Sequence, residues 1–193
     1  GVPVESIFID LLAPSARRLG QAWEDDACDF VDVTMGLWRL QEIMREVASR
    51  VPAVAQAMSA PRSAIFSPMP GEQHSFGVLM IEELFSRAGW HSEALIEPQR
   101  QELLAALAAR NFDLAGLTIS CDCPSGTLSE LITAMRSVSK NPAIQILIGG
   151  RMVNANPGLA AIAGADGTAP DARSALILAE EKVFGSRQLA HFV

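Results

Sequence analysis

"PMPGEQHSFGVLM", Pro68 to Met80, sets one histidine, His74, two positions after Glu72 in a loop bracketed by Pro and Gly that runs straight into an apolar helix. Upstream, "SAIFS" (Ser63 to Ser67) reads as a short buried strand; downstream, apolar spacing predicts a helix over Ser75 to Ala88. A strand–loop–helix unit of this kind carries His74 just past the strand's carboxyl end, the edge at which open α/β sheets bind ligands. An imidazole there can take a metal through one nitrogen while Glu72 accepts a hydrogen bond from the other. Gly77 allows the helix to lie close to a flat ligand or to the sheet. The same residues equally suit a solvated loop histidine with no ligand, and the loop alone leaves both readings open.

Working outward, strand and helix patterns alternate through the rest of the chain. Further strands read at "WHSEAL" (90–95), "LAGLTIS" (114–120), "IQILIG" (144–149) and a short one near "ADGTA" (165–169). Helices fill the gaps at about 98–110, 125–139, 158–163 and 171–184. Five such strands with crossover helices predict a parallel, doubly wound, Rossmann-like α/β domain. Three loops then share the ligand edge: "PMPGEQHSFG", "CDCPSG" and "GGRMVNANPG".

Before Pro61 the pattern is helical. Glu5 to Trp23 reads as one helix kinked or divided at Pro14, and "EDDACD" as a turn in which Asp29 caps a second helix. The apolar face of that helix is expected to comprise Phe30, Val33, Leu37, Leu40, Ile43, Met44 and Val47, ending near Val51-Pro52. "PAVAQAMSAPR" (52–62) follows as a short helix or linker. The expected organisation is a four-helix-like cap, residues 1–60, followed by the α/β domain, residues 61–193.

Of 193 residues, 49% are apolar and 19% charged, enough for a packed core, and the net charge of −7 excludes a broad basic face for nucleic acid. Any part in gene control is therefore indirect. No apolar run reaches the 18 or so residues that cross a bilayer, and "GVPVES" lacks the regions of a signal peptide, so a cytoplasmic location is expected. Three cysteines, Cys28, Cys121 and Cys123, do not make a disulfide framework. Cys121-x-Cys123 is a tightly spaced redox or metal pair with no assured companion. His91, His191 and the Glu24-Asp25-Asp26 run read as incidental surface groups. Neither a Gly-x-Ser-x-Gly elbow, a phosphate loop nor a paired carboxylate set is present, so nothing demands an enzyme.

"EQHSFG" resembles the Asp-x-His-x-x-Gly motif of cobalamin-binding domains, in which the histidine is the lower ligand of cobalt. The family's other landmarks follow in order. After Gly77 come 40 residues (78–117), then Thr118-Ile119-Ser120 where the family has Ser-x-Leu, then 28 residues (121–148) and Gly149-Gly150, matching its Gly-Gly. "GADGTAPDA" is similar to the last strand and helix start, and "LLAPSARRLGQAWEDDACDFVDVT" to the preceding helical cap, whose tryptophan, Trp23 here, lies against the upper face of the macrocycle. The departures are Glu72 for Asp, Thr118 for Ser, Ser120 for Leu, and Val33-Thr34 where light-sensing relatives carry Glu-His.

With "ARRLGQAWEDD" and "VDVTMGLWRLQ", these changes resemble the branch of sensor domains in purple-bacterial antirepressors of photosynthesis genes. That branch includes the cobalamin-binding AerR/PpaA type and a type described as holding heme instead. The resemblance implies a tetrapyrrole between cap and sheet, His74 as metal ligand, and a transcriptional repressor as partner, with Glu72, Gln73, Phe76, Gly77, Thr118, Ser120, Gly149, Gly150 and Trp23 around the cofactor.

Cobalamin has a nucleotide tail that needs small residues at Thr118, Ser120, Gly149 and Gly150. Heme needs an axial ligand, an apolar sandwich and propionate partners, for which His74, then Trp23, Met35 and Trp38, then Arg151 are available. Glu72 and the bulky Phe76 near the tail's entry favour heme. Cobalamin, or a corrinoid carrier module of a methyltransferase, is the alternative. A ligand-free scaffold would instead use the Gly pair as a tight turn, Thr118 and Ser120 as strand ends, and Trp23, Met35 and Trp38 as core.

Overall fold

A computed structural model describes residues 2–51, 62–121 and 125–190. The chain divides into two compact units, Gly1–Val54 and Ala55–Val193. The boundary expected at 60/61, the expected segment over 52–61, Cys123 and His191 lie outside the described residues.

In the first unit, helix α1 (Val4–Ser6) passes through a π-helical stretch (Ile7–Leu12) into α2 (Ala13–Glu24), and α3 (Phe30–Arg50) follows. Pro14 stands in the first turn of α2 and offers no N–H to the preceding turn. The chain answers with a wider turn, in which Ala13 N–H bonds to Phe8 O, five residues back, and the helical path continues without the division expected at Pro14. At α3 a capping box forms: Asp29 accepts from Asp32 N–H (2.8 Å) and Asp32 accepts from Asp29 N–H (3.2 Å). The helices α2 and α3 pack on each other, with Gly36 so close to Leu19 that a Cβ there would come within 2.7 Å of a methyl carbon. Val33 and Met44 are buried, but Phe30 and Ile43 are exposed, contrary to the expected face. Phe30 is the first helical residue, and Ile43 lies about 100° around the helix from Met44, outside the 33–37–40–44–47 stripe. Among the described residues this unit is two helical runs.

The second unit holds β1 (Ser63–Pro68), α4 (Phe76–Arg87), β2 (His91–Ala94), α5 (Arg100–Ala109), β3 (Leu114–Thr118), α6 (Ser125–Val138), β4 (Gln145–Gly149), α7 (Arg151–Ala155), α8 (Leu159–Ala163), β5 (Gly167–Thr168) and α9 (Ala172–Ala190). The sheet order is β2-β1-β3-β4-β5, with every pairing parallel. The strands therefore reverse direction of progression between β1 and β3, and the crevice beyond Pro68 and Thr118 is the topological switch point.

Alternation along the strands sorts the core into two layers. Ile65, Ala115, Leu117, Ile146 and Ile148 pack with Leu103 and Leu107 of α5 and Leu128, Leu131 and Met135 of α6. On the opposite face Ala64, Phe66, Leu114 and Leu147 pack with Val78 and Phe85 of α4 and Ala179 and Val183 of α9. Phe66, Phe85 and Trp90 stack edge to face, with centroids 4.7 and 5.1 Å apart. Buried Arg62 lies over the rings of Trp90 and Phe184 and bonds Glu180 (3.2 Å), tying the start of β1 to α9. The helix α7 falls inside a loop in the sequence reading, and α9 runs past the expected Phe184. Among the described residues no helix is long and apolar enough to cross a membrane.

A Cβ at Gly116 would stand 2.5 Å from the ring of buried Phe66. Gly116→Ala is therefore expected to cost about 1–3 kcal/mol in urea unfolding, through forced displacement of that ring. Burial raises the carboxyl pKa of Glu82 above its usual value against the lowering effect of its bond from Ser92 Oγ (2.8 Å). A raised folded-state pKa means the ionised form is disfavoured by folding, so the penalty is present above that pKa and vanishes below the unfolded value. Glu82→Gln should accordingly raise the Tm at pH 7–8 by about 1–2 °C and leave it unchanged near pH 4, as scanning calorimetry will read.

Candidate functional site

The deciding loop leaves β1 at Pro68 and keeps hold of β3 for one more residue, with Met69 N–H donating to Thr118 O (2.8 Å). It then turns sharply: Glu72 N–H bonds back to Met69 O (2.9 Å), and Gly71 takes φ +95°, a conformation that favours glycine. The turn aims the Glu72 side chain, only 9% exposed, across the switch point. There Ser120 N–H donates to both carboxylate oxygens (3.2 and 3.0 Å) and Cys121 N–H to one of them (3.2 Å). These two amides lie past the end of β3 with no ladder strand to receive them, so the carboxylate completes their hydrogen bonding.

His74 follows on the exposed side, its side chain 56% accessible. Its Nδ1 is 3.6 Å from Cys121 Sγ and 4.0 Å from Glu72 Oε2. The second distance is too long for a hydrogen bond. Glu72 is thus bound to the loop after β3 and not to the imidazole, and the thiol is the ring's near neighbour. With Nδ1 turned toward Cys121 and Glu72, Nε2 at the opposite corner is the nitrogen facing away from them. A cleft of about 460 Å³ opens here, lined by Met69, Glu72, Gln73, His74, Cys121 and Thr127 among others.

Thr118 lies deeper. Leu114 and Leu147 face the layer of α4 and α9, so by alternation Thr118 and Gly149, paired across β3 and β4, face the same layer at the carboxyl edge. The Thr118 hydroxyl is buried and has no hydrogen-bond partner among the described residues. Its partner on β4, Gly149, has no side chain, and a Cβ there would touch Ala169 O at 3.8 Å, whereas one on exposed Gly77 of α4 would meet nothing within 4 Å. Gly77 therefore does not pack on the sheet. A buried, unanswered donor next to a residue without a side chain is a position that can accept a polar group from outside.

The remaining expected residues fall as follows. Gly150 has φ +101°, and a Cβ there would stand 2.6 Å from Ile119 O, so the close crossing of the β3 and β4 ends requires glycine by itself. Ser120 is half-buried and held by Glu72; Gln73 is exposed at the cleft; Phe76, first residue of α4, is buried. Arg151 begins α7 and is exposed. Trp23, Met35 and Trp38 stand in the first unit, 43–48% exposed, so they are not core residues there. Cys121, which the sequence offered no companion, stands beside His74, 47 positions away.

No model of a known protein family matches the chain. Among solved structures, the Methanosarcina barkeri monomethylamine corrinoid protein superposes with a TM-score of 0.74 at 18% identity, over 94% of this chain and 84% of that one. The chain has the cobalamin-binding-domain fold. A cobalamin-binding protein from Desulfitobacterium hafniense gives 0.57 at 13% identity (86% and 77% covered). The methanol:cobalamin methyltransferase complex MtaBC of Methanosarcina barkeri gives 0.56 at 15% identity (94% and 68% covered). In sequence, the chain is 28% identical over 165 residues to an uncharacterized 20.5 kDa protein of the bchF-crtJ intergenic region of Rhodobacter capsulatus, covering 86% of this chain and 85% of that one.

Removing the carboxylate should loosen the loop it holds. Glu72→Ala is expected to lose about 1–3 kcal/mol in stability, since two amides lose their acceptor. Amide exchange at Ser120 and Cys121 should speed up while that of β4 stays unchanged, which hydrogen-exchange NMR will read.

Proposed function

We propose that this chain is a corrinoid-binding sensor module, with His74 as the lower ligand of the cobalt and the nucleotide tail received between the sheet and the layer of α4 and α9. The observation that carries this reading is the buried hydroxyl of Thr118, which has no hydrogen-bond partner among the described residues and is paired across the sheet with Gly149, a residue without a side chain, at the carboxyl edge from which the His74 loop departs. These residues fit the group: small side chains line the edge of that face, a donor waits at depth, and an exposed imidazole stands at the mouth. The corrinoid, when bound, supplies a cobalt centre whose axial ligation responds to light or redox state. This chain's part is to present Nε2 of His74, to fix the loop through Glu72 and to answer the tail with Thr118.

The regulatory half of the reading draws on the antirepressor resemblance and on the relative from the bchF-crtJ region. In it, occupancy alters how the chain meets a transcriptional repressor, and the net charge of −7 argues against a broad basic face for nucleic acid. It is a binding module and not an enzyme. A methyl-carrier role is less well supported, because Glu72 and Thr118 depart from the pattern carriers keep. One observation favours heme, as in the C-terminal domain of the AppA antirepressor: Glu72 stands 4.0 Å from His74, so the carboxylate–imidazole relay is not made.

Titration with hydroxocobalamin and with hemin, read by visible spectra, separates these. The corrinoid reading expects a corrin shift lost in His74→Ala. Thr118→Val is expected to leave the Tm equal or slightly higher, since it deletes an unsatisfied hydroxyl, yet to weaken hydroxocobalamin by about tenfold. A Soret shift that depends on His74 and ignores Thr118→Val supports heme instead. Silence with both ligands overturns the tetrapyrrole reading.

A further inference from the structure

We propose that Glu72, His74 and Cys121 form a site for a thiophilic divalent cation, Zn2+ by ligand chemistry. One ligand atom from each, a carboxylate oxygen, an imidazole nitrogen and a thiol sulfur, lies within 4.8 Å of the other two. Zn–S of about 2.3 Å and Zn–N of about 2.0–2.1 Å at the tetrahedral angle put the two ligand atoms about 3.6 Å apart. The Nδ1···Sγ separation is 3.6 Å. The carboxylate is 4.0 Å from Nδ1 through Oε2, so a small rotation completes the third corner. Glu72 can make that rotation without abandoning its loop, because Oε1 alone accepts from both Ser120 and Cys121 N–H. Sulfur with nitrogen and oxygen selects Zn2+ over Mg2+ or Ca2+, and the described residues supply three of the four corners of a tetrahedral site. On binding, the Cys121 thiol proton passes to solvent and the thiolate takes its place on the metal.

The site has a consequence for His74. A neutral imidazole carries one lone pair available to a metal, the other nitrogen being protonated. A cation held at Nδ1 leaves Nε2 as N–H, unable to ligate a macrocycle. The cation site stands without the tetrapyrrole reading; the competition between the two ligands rests on it.

The test uses the reduced full chain. Calorimetric titration with Zn2+ is expected to show one equivalent bound, and Cd2+ to give a thiolate charge-transfer band in the ultraviolet. Both residues that supply N and S are exposed, so Cys121→Ser and His74→Ala should fold with unchanged Tm, abolish the band in the first case, and weaken Zn2+ at least about tenfold in each. Cys28→Ser should leave both signals intact. No binding to the wild-type chain, a band that survives Cys121→Ser, or one lost in Cys28→Ser overturns the site. Saturating Zn2+ should then weaken hydroxocobalamin binding at least about tenfold; unchanged affinity overturns the competition. Should hydroxocobalamin fail to bind at all, the corrinoid reading fails and the Zn2+ isotherm alone decides the cation site.

Discussion

A single buried carboxylate holds the functional edge together. Glu72 crosses from the loop after β1 to the amides after β3, and in doing so joins the two strands at which the sheet reverses its order. Hydrogen bonds from backbone N–H groups to an ionised acceptor are stronger than neutral ones, and His74, with Nδ1 4.0 Å away, stands beyond hydrogen-bond reach of the carboxylate. His74 and Cys121 inherit their proximity from it: one follows Glu72 by two positions, the other is itself bonded to Glu72. The loop conformation, the cleft and the ligand constellation are therefore consequences of one electrostatic contact, not three independent features.

That contact also explains why Glu instead of Asp alters the chemistry of the edge. The longer arm reaches the amides and leaves the imidazole to a sulfur neighbour, whereas a hydrogen-bonded carboxylate would raise the basicity of a ligating histidine and fix its tautomer. The histidine here is oriented by a softer and more changeable group. A thiol can be oxidised or bind metals, so the environment of His74 is open to chemistry that a carboxylate does not offer.

The sheet was legible in the chain because apolar strands such as Ile65-Phe66 and Ile146-Leu147-Ile148, buried on both faces, alternate with amphipathic helices of ordinary length. What escaped was set by geometry that one-dimensional patterns do not carry. The π-helical turn answers a missing N–H at Pro14, and its wider hydrogen bond leaves no periodic signature over six residues. The helix α7 is too short to show a period at all. At the site, motif spacing located His74, Thr118 and Gly149, but the link from Glu72 to Ser120 depends on β1 lying next to β3, and strand order is not written in local sequence. Gly150 shows the converse. Its glycine is demanded by the backbone of Ile119, so the matched motif there reports a tight crossing as much as any ligand.

The sheet's margins deserve a separate thought. Its two outer strands are β5, only two residues long, and β2, whose four residues include His91, Ser92 and Glu93. A stranger strand arriving at one border would find barely two rungs to grip, and at the other a polar, charged rim that is costly to desolvate. The protein thus resists fibrous self-association by brevity on one flank and by wet chemistry on the other, and its broad, adhesive surfaces remain those covered by helices.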